Sequence, residues 1–398
     1  MQQYMGYDLD ALQRLGATWT AKEIEQQPAC WAKTQQIVSD MHEQISSFLR
    51  HALAAENARV IFTGAGTSAF AGRALVPLLS RYVPRRMEAI ATTDLVSCPQ
   101  QYLSEDVPTL LVSFARSGNS PESVAALQVA SECLSQCYHL VLTCNAEGHL
   151  YRFCQDSQHA LAVLTPAETN DQSLAMTSSF SSMMMAAVTI FAGLDKYSKD
   201  IEEFCKKSAD WFKQINQQFV DNIRAGQYQR VIYLGSGGLQ GLAQESALKV
   251  LELTSGRIAA MYDSPLGFRH GPKAIVNNET LIFVFISNDP YTRKYDLDLL
   301  QELRSDNVAS EIIAVSAYTE HAVTAGRHII VPGVAQSDDI GLLFAYLMLA
   351  QAFAFHNSIA VGNSPDNPSP SGEINRVVQG VTIYGFEKSL EGKIYESA

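Results

Sequence analysis

Apolar residues fall into two kinds of run along this chain. Short continuous stretches at 59–63, 109–114, 139–144, 161–164 and 230–234, and another from 280 onward, carry no polar alternation. They read as strands buried on both faces of a parallel sheet. The stretches between them show the wider spacing of helices: a helix-like run closes at Leu79, and Pro121 stands where a first helical turn tolerates it. In 245–254, Ala247, Val250, Leu251 and Thr254 form one apolar stripe, with Glu245, Lys249 and Glu252 together on the opposite face. Strand and helix in alternation predict an α/β protein with doubly wound parallel sheets. Residues 1–54 differ, reading as helices alone: Thr20 and Glu23 fit a capping box, Pro28 interrupts, and helical period continues from Cys30 to Ala54.

The pattern occurs twice. V-I-F-T-G-A-G-T-S around Gly64 returns as V-I-Y-L-G-S-G-G-L around Gly235, and T-L-L-V-S-F from Thr109 returns as T-L-I-F-V-F from Thr280, both at an offset of 171 positions. An internal duplication is expected, with an N-terminal helical extension at 1–54, a first α/β domain at 55–205, a second at 206–365 and a tail at 366–398. Prolines stop helix formation at the start of that tail, and apolar 377–384 is expected to lie back over the body.

The 398 residues carry a net charge of −12, which argues against nucleic acid or an anionic membrane as a partner. The N-terminus lacks the basic start and apolar core of a signal peptide. The apolar run 340–355 is shorter than the roughly 20 residues that span a bilayer, so a buried or subunit-contact helix is expected there. The seven cysteines form no C-x-x-C pair, which suits a reducing, cytoplasmic setting. Cys133 and Cys137 have a helical spacing that suits a metal, but no second pair supports one, and no metal or cofactor is expected.

Three polar loops follow strands of the first domain. Gly66, Thr67 and Ser68 form the first; Arg116, Ser117, Gly118, Asn119 and Ser120 the second; and 168–180, with Leu174, Thr177 and neighbouring serines, the third. Gly-rich and hydroxyl-rich turns at the carboxyl edge of such sheets hold phosphate through backbone N–H groups and helix N-termini, without net positive charge. G-A-G-T-S-A also fits a dinucleotide fingerprint, with Glu88 as its acid, although that reading leaves the other two loops unexplained. In the second domain, Glu252 and Lys249 are followed by a loop carrying His270, and together they form a proton-transfer set. A glutamate four residues before a lysine is, on its own, more often a solvated helix face.

G-A-G-T-S and S-F-A-R-S-G-N-S-P-E-S resemble the phosphate-loop motifs of the sugar isomerase (SIS) domain family, and the likeness extends over nearly all of the chain beyond Ala54. E-S-A-L-K-V-L-E-L followed by F-R-H-G-P is similar to the catalytic segment of the isomerase half of glucosamine-6-phosphate synthase. That resemblance implies Glu252 as enolisation base, His270 as ring-opening group, often donated by a neighbouring subunit, and Lys249 as an active-site lysine. It also implies a homo-oligomer of at least two chains. The synthase's glutamine-hydrolysing domain is missing, and no lysine precedes the V-T of the tail, where Arg376 and Gln379 stand instead. Length, paired domains and the tail most resemble the galactosamine-6-phosphate deaminase/isomerase group, also known as tagatose-6-phosphate ketose/aldose isomerase. An amino-sugar phosphate is then the expected substrate, with plain isomerisation or non-catalytic sugar-phosphate sensing as alternatives.

Overall fold

The computed structural model describes residues 2–194, 196–225 and 228–386. Three helices follow a short hairpin and a seven-residue helix (Leu9–Leu15): α1 (Thr18–Glu25), α2 (Gln27–Asp40) and α3 (His42–Ala52). The first sheet has strands β1 (Arg59–Thr63), β2 (Arg86–Ala89), β3 (Thr109–Ala115), β4 (Cys137–Thr143) and β5 (Ala160–Leu164), all parallel, in the order β2-β1-β3-β4-β5. The second has β6 (Arg230–Leu234), β7 (Ala259–Asp263), β8 (Thr280–Phe285), β9 (Glu311–Ser316) and β10 (His328–Ile330), again parallel, in the equivalent order β7-β6-β8-β9-β10. Strands β1, β3 and β8 are buried at every position, as their unbroken apolar runs require.

The halves meet through a pair of equivalent helices, α4 (Thr67–Leu79) and α8 (Gly238–Leu253). Each starts at a glycine with almost the same backbone, Gly66 at φ 55°, ψ −127° and Gly237 at φ 57°, ψ −124°, a conformation closed to residues with a Cβ. The helices touch at backbone distance. A Cβ added to Gly241 would stand 2.4 Å from the Ala74 nitrogen, and one on Gly238 2.5 Å from the Ala74 oxygen. Behind α8 runs α11 (Asp339–Ala360), the apolar run of the sequence, and it is a core helix: Ile340 through Phe355 are all buried. It is the one described helix long and apolar enough to cross a membrane.

Several expectations need correction. The first-turn signal at Thr20 is no capping box, because α1 already begins at Thr18. Thr20 instead donates its N–H and hydroxyl to Asp366 Oδ1, 2.8 Å each, and Glu23 is buried, accepting from Ser173 N at 3.3 Å. Pro28 starts a helix rather than interrupting one, standing in the first turn of α2. Cys133 ends a helix and Cys137 begins β4, so their helical spacing does not exist. The expected division at 205/206 falls inside the connecting helix α7 (Ser198–Ala225). Part of the tail does lie on the body: Leu174 N donates to Asp366 O at 3.1 Å, and Asn363 and Ser255 both donate to Pro368 O. Its apolar end does not, since Val378, Val381, Ile383 and Tyr384 are exposed.

Candidate active site

The three loops of the first half converge at the carboxyl edge of its sheet. Thr67 and Ser68 are buried in the first turn of α4, and Ser68 Oγ reaches Met176 Sδ of the third loop at 3.8 Å. The second loop turns at Gly118, φ 64°, and leads into helix α5 (Pro121–Cys133). Ser117 Oγ accepts from Asn119 N at 3.2 Å, Asn119 Oδ1 accepts from His149 N at 3.0 Å, and Ser120 Oγ lies 2.6 Å from Ser123 Oγ.

Arg116 does something the sequence did not suggest. Its guanidinium is buried and donates to three carbonyls: Ser173 O at 3.3 Å, Leu174 O at 2.9 Å and Arg376 O at 2.7 Å. It therefore ties the second loop to the third and to the tail. Arg376 in turn donates to Asp171 O at 2.8 Å and Asn170 Oδ1 at 2.7 Å, so its side chain is also spent on the third loop. Gln379 is exposed, and no hydrogen bond brings it to the loops among the described residues.

The third loop is not the open anion cradle its hydroxyls suggest. Asp171, fully buried, accepts from Thr177 N (2.8 Å), Ser178 Oγ (2.5 Å), Ser179 N (2.9 Å) and Ser179 Oγ (2.5 Å) at the start of helix α6 (Ser178–Ala192). A protein carboxylate already faces that helix N-terminus. Thr177 Oγ1 is buried without a hydrogen-bond partner among the described residues. Asp171 has one legible signal, an acid shortly before a run of serine and threonine, and that spacing resembles ordinary loop chemistry.

The charged face of 245–254 is not solvated. Glu245 and Lys249 are fully buried, and Glu252 is 17% exposed in its side chain. Lys249 Nζ pairs with Glu252, stands 3.4 Å from Glu245 Oε1, and donates to Thr67 Oγ1 at 3.0 Å. One ammonium joins two carboxylates of the second half to the first loop of the first half. Burial pushes the Glu245 carboxyl up to about 8 although Lys249 opposes it, so Glu245 holds its proton at neutral pH. Burial works against the Lys249 ammonium, but the two carboxylates outweigh it and raise its pKa.

His270 stands apart. It is exposed in the loop after helix α9 (Pro265–Phe268), and among the described residues its ring makes no hydrogen bond or ion pair. Its neighbours are fixed: Arg269 pairs with Asp298 at 2.8 Å and Glu302 at 2.7 Å, and Lys273 with Asp306 at 2.5 Å. Among the described residues no hydrogen bond or ion pair joins His270 to Glu252 within the chain, and donation by a neighbouring subunit is the arrangement that the resemblance implied. Glu88 of the nucleotide reading is engaged on the sheet edge, 3.5 Å from Arg59 and 3.3 Å from Arg86.

Two parallel-sheet halves, hydroxyl loops on one and a buried carboxylate–lysine set from the other define the class: the chain belongs to the SIS domain family, whose model matches residues 52–193 and 226–360, one copy on each half. Its relatives are specific. D-galactosamine-6-phosphate deaminase AgaS of Escherichia coli O157:H7 is 48% identical over 370 residues, covering 93% of this chain and 96% of that protein. The deaminase of the same name from Shewanella sp. (strain ANA-3) is 42% identical over 385 residues, covering 95% of each. Among solved structures, tagatose-6-phosphate ketose/aldose isomerase from Escherichia coli aligns with a TM-score of 0.86 at 44% identity, over 93% of this chain and 97% of that one.

Proposed function

We propose that this chain is an aldose–ketose isomerase with deamination, acting on D-galactosamine 6-phosphate to give tagatose 6-phosphate and ammonia. The observation that carries the reading is Lys249, which joins the carboxylates of one half to the phosphate-type loop of the other. The phosphate is placed on the first two loops, with Thr67, Ser68, Ser117 and Ser120 as hydroxyl donors and Gly66, Gly118 and Asn119 shaping the backbone around it. Thr177 contributes its free hydroxyl from the third loop beside Leu174. Arg116 and Arg376 act by holding the loops in place.

His270 assists ring opening, which exposes the aldehyde and acidifies the proton on C2. Glu252 takes that proton and returns it to C1 through an enolamine, leaving a ketimine at C2. Water adds to the ketimine, and the C–N bond breaks with release of ammonia and the ketose phosphate. Lys249 stabilises the negative charge that develops on the sugar oxygen, and its pairing keeps the Glu252 carboxylate in place. An exposed His270 on a loop braced by ion pairs, flanked by exposed Leu266 and Ile275, supports its donation to the site of a second copy in a homo-oligomer.

The test is ammonia release from galactosamine 6-phosphate, with glucosamine 6-phosphate alongside and ketose phosphate assayed in parallel. Equal ammonia and ketose from the galacto sugar alone is the expected result. Interconversion of tagatose 6-phosphate with its aldose and no ammonia would leave the plain isomerase, the reading that the name of the solved neighbour favours. Silence in both assays would leave a sensor of sugar phosphates.

A further inference from the structure

The duplication gives the second half a matching pair of loops, a second cradle whose first loop keeps its backbone while Asp289 stands at the place of Gly118 without its positive φ. Gly237 repeats the backbone of Gly66 within a few degrees. Helix α10 (Thr292–Asp306) begins 171 positions after α5, the offset that also relates Gly64 to Gly235. At that offset Ser236 matches Ala65, Ser287 matches Arg116 and Asn288 matches Ser117. Ser236, Gly237, Asn288 and Asp339 line a cleft of about 520 Å³.

The donors of this second cradle are occupied. Ser236 Oγ donates to Asp296 Oδ1 at 2.5 Å and Ser287 N to Asp296 Oδ2 at 2.9 Å. Ser287 Oγ donates to Asp339 Oδ2 at 2.6 Å and Asn288 N to Asp339 Oδ1 at 2.7 Å. Asp296 is fully buried and Asp339 is 8% exposed. The first half has no carboxylate at the place of Asp296, whereas a carboxylate of its own, Asp171, sits at the start of the helix that matches α11. The position matching Asp296 is Ala125, and the residue matching Asp339, the first of the helix after the fifth strand, is Ser178.

We infer that the second half retains an oxyanion cradle and that the carboxylates of Asp296 and Asp339 fill it as built-in stand-ins for a phosphate, so that each chain takes one sugar phosphate rather than two. Phosphate and carboxylate make the same demand, N–H and O–H donors converging on anionic oxygens. The inference rests on the reading of the first-half loops as the phosphate site. It also accounts for the burial of two aspartates with no lysine or arginine bonded to either carboxylate among the described residues: their charges are met by loop donors, as a bound anion's would be.

The experiment titrates inorganic phosphate into the full chain by calorimetry and by thermal unfolding. The parent is expected to bind one phosphate per chain. Asp296→Ala combined with Asp339→Ser, which restores the residues of the first half, is expected to bind two, to gain more thermal stability from phosphate than the parent, and to keep its turnover. A folded double variant that still binds one overturns this inference alone, whereas a parent that binds none overturns the first-half phosphate reading with it. Should the double variant fold in neither buffer nor phosphate, the reciprocal change decides: Ala125→Asp, placing a carboxylate in the first cradle, is expected to abolish phosphate binding with circular dichroism unchanged. Binding at parental affinity in that variant overturns the inference.

Discussion

Replacing Lys249 by methionine removes one charge while keeping most of the side-chain volume, and the structure sets the size of the effect. Lys249 Nζ has three partners, Glu245, Glu252 and Thr67, all at the junction of the halves. Removing one partner of a buried ion pair costs about 3–5 kcal/mol. The lower end applies, because Glu245 already holds its own proton and Glu252 keeps some access to water. Against an unfolding entropy of roughly 2.1 cal/mol/K per residue, about 3 kcal/mol lowers the thermal midpoint by roughly 4 °C in a chain of 398 residues. Turnover should fall at least about 100-fold, the low range for loss of one acid–base or electrostatic contributor.

The same variant has a pH signature. In the folded chain Glu245 titrates near 8, against 4.5 for its ordinary value, so the native state binds the extra proton between these limits. Stability from this group therefore declines as pH climbs from 4.5 towards 8. Lys249 lowers the Glu245 pKa, so in Lys249→Met the decline should continue above pH 8. Thermal unfolding by circular dichroism across pH, with ammonia release at each point, reads both effects. A variant that unfolds and turns over like the parent at every pH would refute the argument.

Other expectations follow from the same geometry. If His270 serves a partner's site, mixing and re-equilibrating inactive Glu252→Gln and His270→Asn chains should restore about a quarter of the parent activity in a dimer with isologous contacts, and no recovery would place His270 in its own chain's site. Burial, followed by the nearby Asp171 charge, raises Glu23 to about 7 despite its hydrogen bonds, so it too binds a proton on folding, and stability should fall as pH rises from 4.5 through 7. Glu23→Gln should flatten that slope in an unfolding series, and an unchanged slope would assign it elsewhere.

Runs of unbroken apolar residues made β1, β3, β6 and β8 legible in the sequence, and the offset of 171 positions exposed the second half. Strands β2 and β10 escaped because they lie at sheet edges: β2 reads R-M-E-A with no buried position, and β10 has only three residues. The site was half legible. Lys249 and Glu252 stood out by spacing, yet helical period alone places Glu245 and Lys249 on a solvated face, because the helix that buries them comes from the other half of the chain. The loop residues were found by type, but Asp171 changes what the third loop offers, and Arg116 turned out to grip carbonyls. Neither depends on local sequence; both depend on which loops meet at a sheet edge.

That dependence puts weight on the backbone-distance contact between α4 and α8. Gly241 lies against Arg73 and Ala74 of α4, where a methyl group would meet backbone atoms at 2.4–2.7 Å, atoms that cannot turn aside as a side chain does. Gly241→Ala must therefore part α4 from α8, at about 1–3 kcal/mol for overpacking. Lys249 lies two turns further along α8, about 12 Å away, on the helix that would be displaced. Its 3.0 Å bond to Thr67, which crosses the junction, should lengthen first. The expected result is a loss of turnover larger than the loss of stability explains, with KM for the phosphate sugar also raised because Thr67 lies in the loop proposed to hold the phosphate. A variant that keeps parental kcat and KM while losing only stability would show that the helix contact supports the fold without setting the site.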